Sequence, residues 1–178
     1  GGWAAATHGG AAAGVPPPGA EAPGWTTVML RNLPNNYNRE MLLDLLDSEG
    51  FSGQYDLIYL PIDFETHACL GYAFINLVSP SAVPGFWSHF AGFSSWTVPS
   101  RKVCGVTWSN PHQGRHAHVE RYRNSPVMHP AVPDHFKPLV LEDGRVVEFP
   151  PPTKAPRAPR SWNFACNSGG ARGRRSCK

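Results

Sequence analysis

Residues 70–77 read Leu-Gly-Tyr-Ala-Phe-Ile-Asn-Leu, and the alternation within them is the strongest chemical signal in the chain. In an extended strand successive side chains point to opposite faces, so Leu70, Tyr72, Phe74 and Asn76 share one side while Ala73, Ile75 and Leu77 share the other. The second set is small and aliphatic and suits a core. The first set puts two aromatic rings two residues apart, and on an open sheet face such rings stack unpaired nucleobases at about 1–3 kcal/mol per base. A strand over Tyr55–Leu60 adds Tyr59 to this surface, with Ile58 and Leu60 pointing inward. A strand over Thr26–Leu33 adds Arg31 and Met29, whose polarizable thioether either stacks on a base or fills space. Arg31 and Asn76 are candidates for hydrogen bonds to base or sugar. Arg121 and Arg123, with Arg115 and interleaved with His116, His118 and Tyr122, are candidates for a phosphate-contacting rim. The same helix equally suits docking through Val119 and Tyr122, with its charges solvated. In that case Tyr72 and Phe74 belong to a second core beneath it, and Tyr59 packs against a covering segment.

Other chemistries lack their residues. His112 and His116 are four apart, but no third ligand of suitable spacing accompanies them, so no metal or other cofactor is expected. The four cysteines, Cys69, Cys104, Cys166 and Cys177, form no close pair and read as free thiols of a reducing compartment. No Ser, Cys or Asp shows the setting of an activated nucleophile, and an enzyme is not expected.

The elements that must position the aromatics follow from the pattern. Pro34 ends the first strand, Asn38 offers a helix N-cap, and Leu42, Leu45 and Leu46 form one stripe of a helix that stops at Gly50. The second strand stops at Pro61, and a polar hairpin connection containing Asp63, Glu65, Thr66 and His67 leads to a third strand from Cys69 to Val78. Ser79-Pro80 starts a second helix carrying Val83, Phe86, Trp87 and Phe90; Lys102–Trp108 is a fourth strand and Gly114–Arg123 a short extra helix. The order βαββαβ predicts an α+β, ferredoxin-like fold: an antiparallel four-stranded sheet with two helices on one face, plus the added C-terminal helix.

This order, with the residues above, resembles the RNA-recognition motif. Leu70–Leu77 is similar to that motif's octamer signature and Val28–Leu33 to its hexamer signature. Two departures, Leu70 where a base is usual and Met29 where an aromatic is usual, put one phosphate contact and one stacking contact in doubt. Asn32–Tyr37, Tyr59–Phe64, Gly71–Asn76 and Gln113-Gly114-Arg115 together resemble the C-terminal RNA-recognition motif of the meiosis-inducing proteins of fungi and the terminal-ear type proteins of plants. The resemblance covers residues 25–130 and implies single-stranded RNA as partner, in post-transcriptional, meiotic or developmental regulation. The competing class is a protein–protein interaction module built on the same fold.

Composition bounds the rest. The 178 residues include 18 glycines and 19 prolines, which collect at the ends: residues 1–24 read as a flexible Gly/Ala/Pro-rich leader, 25–125 as the folded motif, and 126–178 as a mostly disordered, Pro-rich basic tail, interrupted by a strand-like stretch at 138–149. The chain opens Gly-Gly without methionine and is expected to be part of a longer one. The net charge of +3 combines seven Lys and Arg after residue 150, with no acid, and a remainder of −4. The case for RNA therefore rests on aromatic placement more than on charge. No apolar run is long enough for a membrane helix, and free thiols with an Arg-rich end suit nucleus or cytoplasm.

Overall fold

In the computed structural model, which describes residues 24–160, the central run of the chain forms an antiparallel sheet backed by two helices. The leader up to residue 23 and the tail from residue 161 lie outside the described residues. Strand β1 (Thr27–Arg31) leads to helix α1 (Arg39–Leu46), capped where the Asn38 side chain accepts the Met41 amide at 2.8 Å. A widened turn over Asp47–Phe51 ends the helix, with Gly50 in the left-handed region at φ 91°. Strands β2 (Tyr55–Tyr59) and β3 (Tyr72–Leu77) follow, joined by a loop in which Asp63 Oδ1 accepts the amides of Glu65 and Thr66. Helix α2 (Val83–Phe90), strand β4 (Gly105–Trp108) and helix α3 (Arg115–Arg123) complete the expected βαββαβ-plus-helix order.

Register confirms which side chains face the helices. Val28, Leu30, Ile58, Ala73 and Ile75 are fully buried against Leu42, Leu45, Leu46, Phe86 and Phe90, while Trp87 meets Trp108 at 5.1 Å. Each buried Val, Leu, Ile or Phe of this layer contributes about 1.5–3 kcal/mol by leaving water, which holds the sheet against its helices.

The region after Ser125 corrects the expectation of mostly extended tail. Val127, Val132 and Phe136 are buried in the main core, and two further strands, β5 (Leu139–Glu142) and β6 (Arg145–Val147), form a hairpin. Its turn is Asp143-Gly144, both at positive φ (49° and 75°), the arrangement that matches the twist of a two-residue hairpin. β5 pairs with β2 through Leu57↔Val140 and Ile58↔Leu139, making a six-stranded sheet in the order β4-β1-β3-β2-β5-β6 instead of the four strands expected. The extension widens the face opposite α1 and α2, and α3 crosses that face.

Candidate nucleic-acid interface

Opposed residues of antiparallel strands share a face, so the pairings lay out the helix-free side in rows. One row runs Thr107, Met29, Phe74, Tyr59 across β4, β1, β3 and β2. Above it stand Arg31 and Tyr72; below it lie Thr27, Asn76, Leu57 and Val140. Helix α3 covers the lower row. Val119 closes a second small core with Leu57 and Val140, flanked by Val147 of the hairpin and by Phe149 just beyond it. This core is why the hairpin matters to the site: without β5 and β6, Val119 would rest on the sheet's rim.

The approach of α3 is set by Gln113 and Gly114. The Gln113 carboxamide accepts the amides of Thr26 and Thr27 (3.1 and 2.9 Å) and donates to the carbonyls of Thr27 and Ser109 (2.7 and 2.8 Å). The Gly114 amide donates to Thr27 Oγ1 at 2.8 Å. These bonds tie the start of the helix to the start of β1.

Asn76 is part of the same lock, which corrects its expected contact with base or sugar. It is 3 % exposed, its Oδ1 accepts from the hydroxyls of Thr26 and Thr27, and its Nδ2 donates to Asp56 and the Leu77 carbonyl. Burial pushes the Asp56 carboxyl above its ordinary value, against the Asn76 hydrogen bond that lowers it. Arg123 is likewise occupied: its Nε and Nη2 donate to the Pro151 carbonyl (3.0 and 2.7 Å) and its Nη1 to Glu120. The expected phosphate rim therefore loses Arg123, and Arg115 pairs with Glu142 at 3.1 Å.

The remaining candidates come together. Tyr59 and Phe74 lie nearly parallel (12°) with ring centroids 6.5 Å apart, and Tyr72 meets Phe74 edge-on at 5.7 Å. All three are half-buried, as is Met29, while Arg31 is exposed. Helix α3 borders this patch through His118, 5.5 Å from Phe74, and Tyr122, 4.6 Å from Tyr59. Burial raises the Tyr59 phenol well above its usual value and pushes Tyr122 up to about 12, so both hydroxyls stay protonated throughout the physiological range. Arg121 is exposed, with its guanidinium 5.9 Å from the Tyr122 ring centre and Nη1 3.1 Å from His112 Nε2.

Between the end of α3 and the β2–β3 loop these side chains line a groove of about 520 Å³, walled by Tyr59, Phe64, Leu70, Tyr72, Phe74, Arg121 and Tyr122. The aromatic floor was legible from alternation. Leu70 belongs to the same alternating set; Phe64 as a wall was not legible, because a loop's path leaves no periodic signal, and Tyr122 was visible only as an apolar position of a short helix. Among the described residues no group of three His, Cys, Asp or Glu could hold a metal ion, and no helix is long and apolar enough to cross a membrane.

An antiparallel βαββαβ sheet backed by two helices, with aromatics at alternate positions of its central strand, defines an RNA-recognition-motif domain. The chain belongs to the RNA recognition motif 2 family, whose model matches residues 25–123. It is similar to Protein MEI2-like 5 of Oryza sativa (42 % identical over 103 residues, covering 58 % of this chain and 12 % of that protein). It is also similar to Meiosis protein mei2 of Schizosaccharomyces pombe (39 % over 140 residues, 76 % of this chain and 18 % of that one) and to Protein terminal ear1 of Zea mays (36 % over 153 residues, 76 % and 23 %). The chain thus spans less than a quarter of the length of these relatives.

Proposed function

We propose that this domain binds single-stranded RNA in the groove between α3 and the β2–β3 loop, as part of post-transcriptional, meiotic or developmental regulation in the nucleus or cytoplasm. The observation that carries the reading is the half-buried aromatic floor of Tyr59, Tyr72 and Phe74, bracketed by the exposed cations Arg31 and Arg121. Bases stack on Tyr72 and Phe74, Tyr122 forms the side wall, and Met29 extends the floor toward β4. Arg31 hydrogen-bonds base or sugar and Arg121 meets phosphate. Because α3 covers the lower row, the sheet itself accommodates a short run of nucleotides, and the strand leaves the face at the end of α3. The name of one relative, which refers to meiosis, supports the biological setting.

The test is the double variant Tyr72→Ala/Phe74→Ala, titrated with fluorescent single-stranded RNA. Loss of two stacking contacts weakens binding by roughly 2 kcal/mol or more, about thirty-fold. A folded double variant with the parent's affinity overturns the reading.

A further inference from the structure

We propose that residues 154–160 form a positioned cationic arm that takes the phosphodiester backbone of single-stranded RNA where it leaves the aromatic groove, with Asn124 as its positioning residue. The inference rests on the groove being an RNA site and adds a second site to it.

Three observations carry it. First, this stretch is docked. Asn124 Oδ1, at the C-terminal end of α3, accepts the amides of Thr153 (2.9 Å) and Lys154 (3.2 Å), while its Nδ2 donates to Thr153 Oγ1 (2.9 Å). Arg123 grips the preceding Pro151 carbonyl through two nitrogens. Second, the dock adjoins the groove, since Ser125, next in the chain after Asn124, and Arg121, three residues before it, both line the groove.

Third, the arm repeats with a period of three: Lys154-Ala155-Pro156-Arg157-Ala158-Pro159-Arg160. Prolines at this spacing favour the polyproline II helix, which has three residues per turn and rises about 3.1 Å per residue. Between the bend at Lys154 and the turn at Arg160, that period spaces the cationic positions about 9 Å apart along the chain. Burial follows the same period. Pro156 is half-buried and Pro159 buried, whereas Lys154, Arg157 and Arg160 are all exposed. None of the three is in an ion pair with a carboxylate of the described residues. A row of cations docked at Thr153 and Lys154 beside a stacking groove suits a polyanionic strand, because part of the cost of ordering it is met before the strand arrives.

The experiment measures the affinity of the full 178-residue chain for a fluorescent single-stranded RNA about 12 nucleotides long between 50 and 200 mM salt. Each phosphate neutralised on a single strand contributes about 0.7 to the slope of log K against log salt, so Lys154→Ala/Arg157→Ala/Arg160→Ala flattens the slope by about 2. The deficit of this triple variant relative to the parent then grows about sixteen-fold from 200 to 50 mM salt. Asn124→Ala keeps every charge but releases the arm, and its slope moves at least halfway to that of the triple variant. Thr153→Val removes the hydroxyl partner with less risk to α3 and moves the slope in the same direction. Both are checked for the parent's melting temperature. An unchanged slope in the triple variant overturns the proposal. So does a triple variant that flattens the slope while Asn124→Ala and Thr153→Val keep the parent's, because the charges then act from a loose tail. Failure of the groove itself reads differently: Tyr72→Ala/Phe74→Ala leaves affinity intact while the arm variants still flatten the slope.

Discussion

Acidification should loosen α3 from the sheet through one side chain, His118. Its ring is 1 % exposed, packed between Phe74 (5.5 Å) and Tyr122 (5.7 Å). Nε2 lies 3.2 Å from the His112 carbonyl and 3.2 Å from Ser109 Oγ, whereas Nδ1 is buried with no hydrogen-bond partner. The neutral ring with its proton on Nε2 satisfies the carbonyl; a second proton on Nδ1 would have no acceptor. Burial therefore pulls the pKa from 6.5 down to about 4, with the nearby His112 and Arg121 opposing the charge and the His112 carbonyl favouring it. The unfolded chain takes up this proton near pH 6.5 and the folded one near pH 4, so between them the unfolded state holds more protons. The His118 contribution is complete above pH 6.5 and is lost as the pH falls, by about 2 kcal/mol at pH 5 and about 3 kcal/mol at pH 4. For a domain of this size, 2 kcal/mol corresponds to a melting temperature about 5–10 °C lower. The assay is urea unfolding of the parent and of His118→Phe from pH 7.5 to 5. Other titrating groups, including Asp56 with its raised and hence oppositely acting pKa, are common to both and cancel in the difference. The parent should lose about 2 kcal/mol relative to the variant over that range. A difference that stays constant with pH refutes the burial argument.

Two further outcomes follow from the lock around Thr27 and from the hairpin turn. Asn76→Ala strips partners from Asp56 and from the hydroxyls of Thr26 and Thr27, and should cost about 1–3 kcal/mol in chemical denaturation. It should leave the RNA affinity of the folded protein unchanged; a selective loss of binding would return Asn76 to the interface. Gly144→Ala places a Cβ at φ +75°, where it meets Gly53 Cα at an ordinary 3.6 Å, so the penalty is the left-handed backbone alone, about 1–2 kcal/mol. A melting temperature equal to the parent's would contradict the assignment of the Asp143-Gly144 turn.

Much of the architecture was legible because it repeats. Leu42, Leu45 and Leu46 mark a helical stripe, and Asn38 and Gly50 its ends. The alternation from Tyr72 to Leu77 separates the core set from the aromatic set without reference to any other strand. Even the added hairpin left its trace, in Asp143-Gly144 between two β-rich stretches. What did not show was partnership. Asn76 and Phe74 stand on the same face of the same strand, and nothing local distinguishes them. Only the crossing of α3 and the loop at Gln113 buries one in a polar lock and leaves the other in a groove. Arg121 and Arg123, two residues apart on one short helix, part in the same way: the Pro151 carbonyl occupies Arg123, and Arg121 stays exposed beside Tyr122.

Periods of two and 3.6 along the chain were enough to read the order from β1 to α3, the core face of the central strands and the aromatic character of the opposite face, but not the added β5–β6 hairpin. How much of that aromatic face stays open follows from packing between distant segments. Pairing of β5 with β2 builds the shelf of Leu57, Val140, Val147 and Phe149 on which Val119 sits, and the seated helix turns an open platform into a groove. That outcome depends on contacts between residues some 20 to 90 positions apart, whose summed burial is a property of the packed assembly and of no single segment.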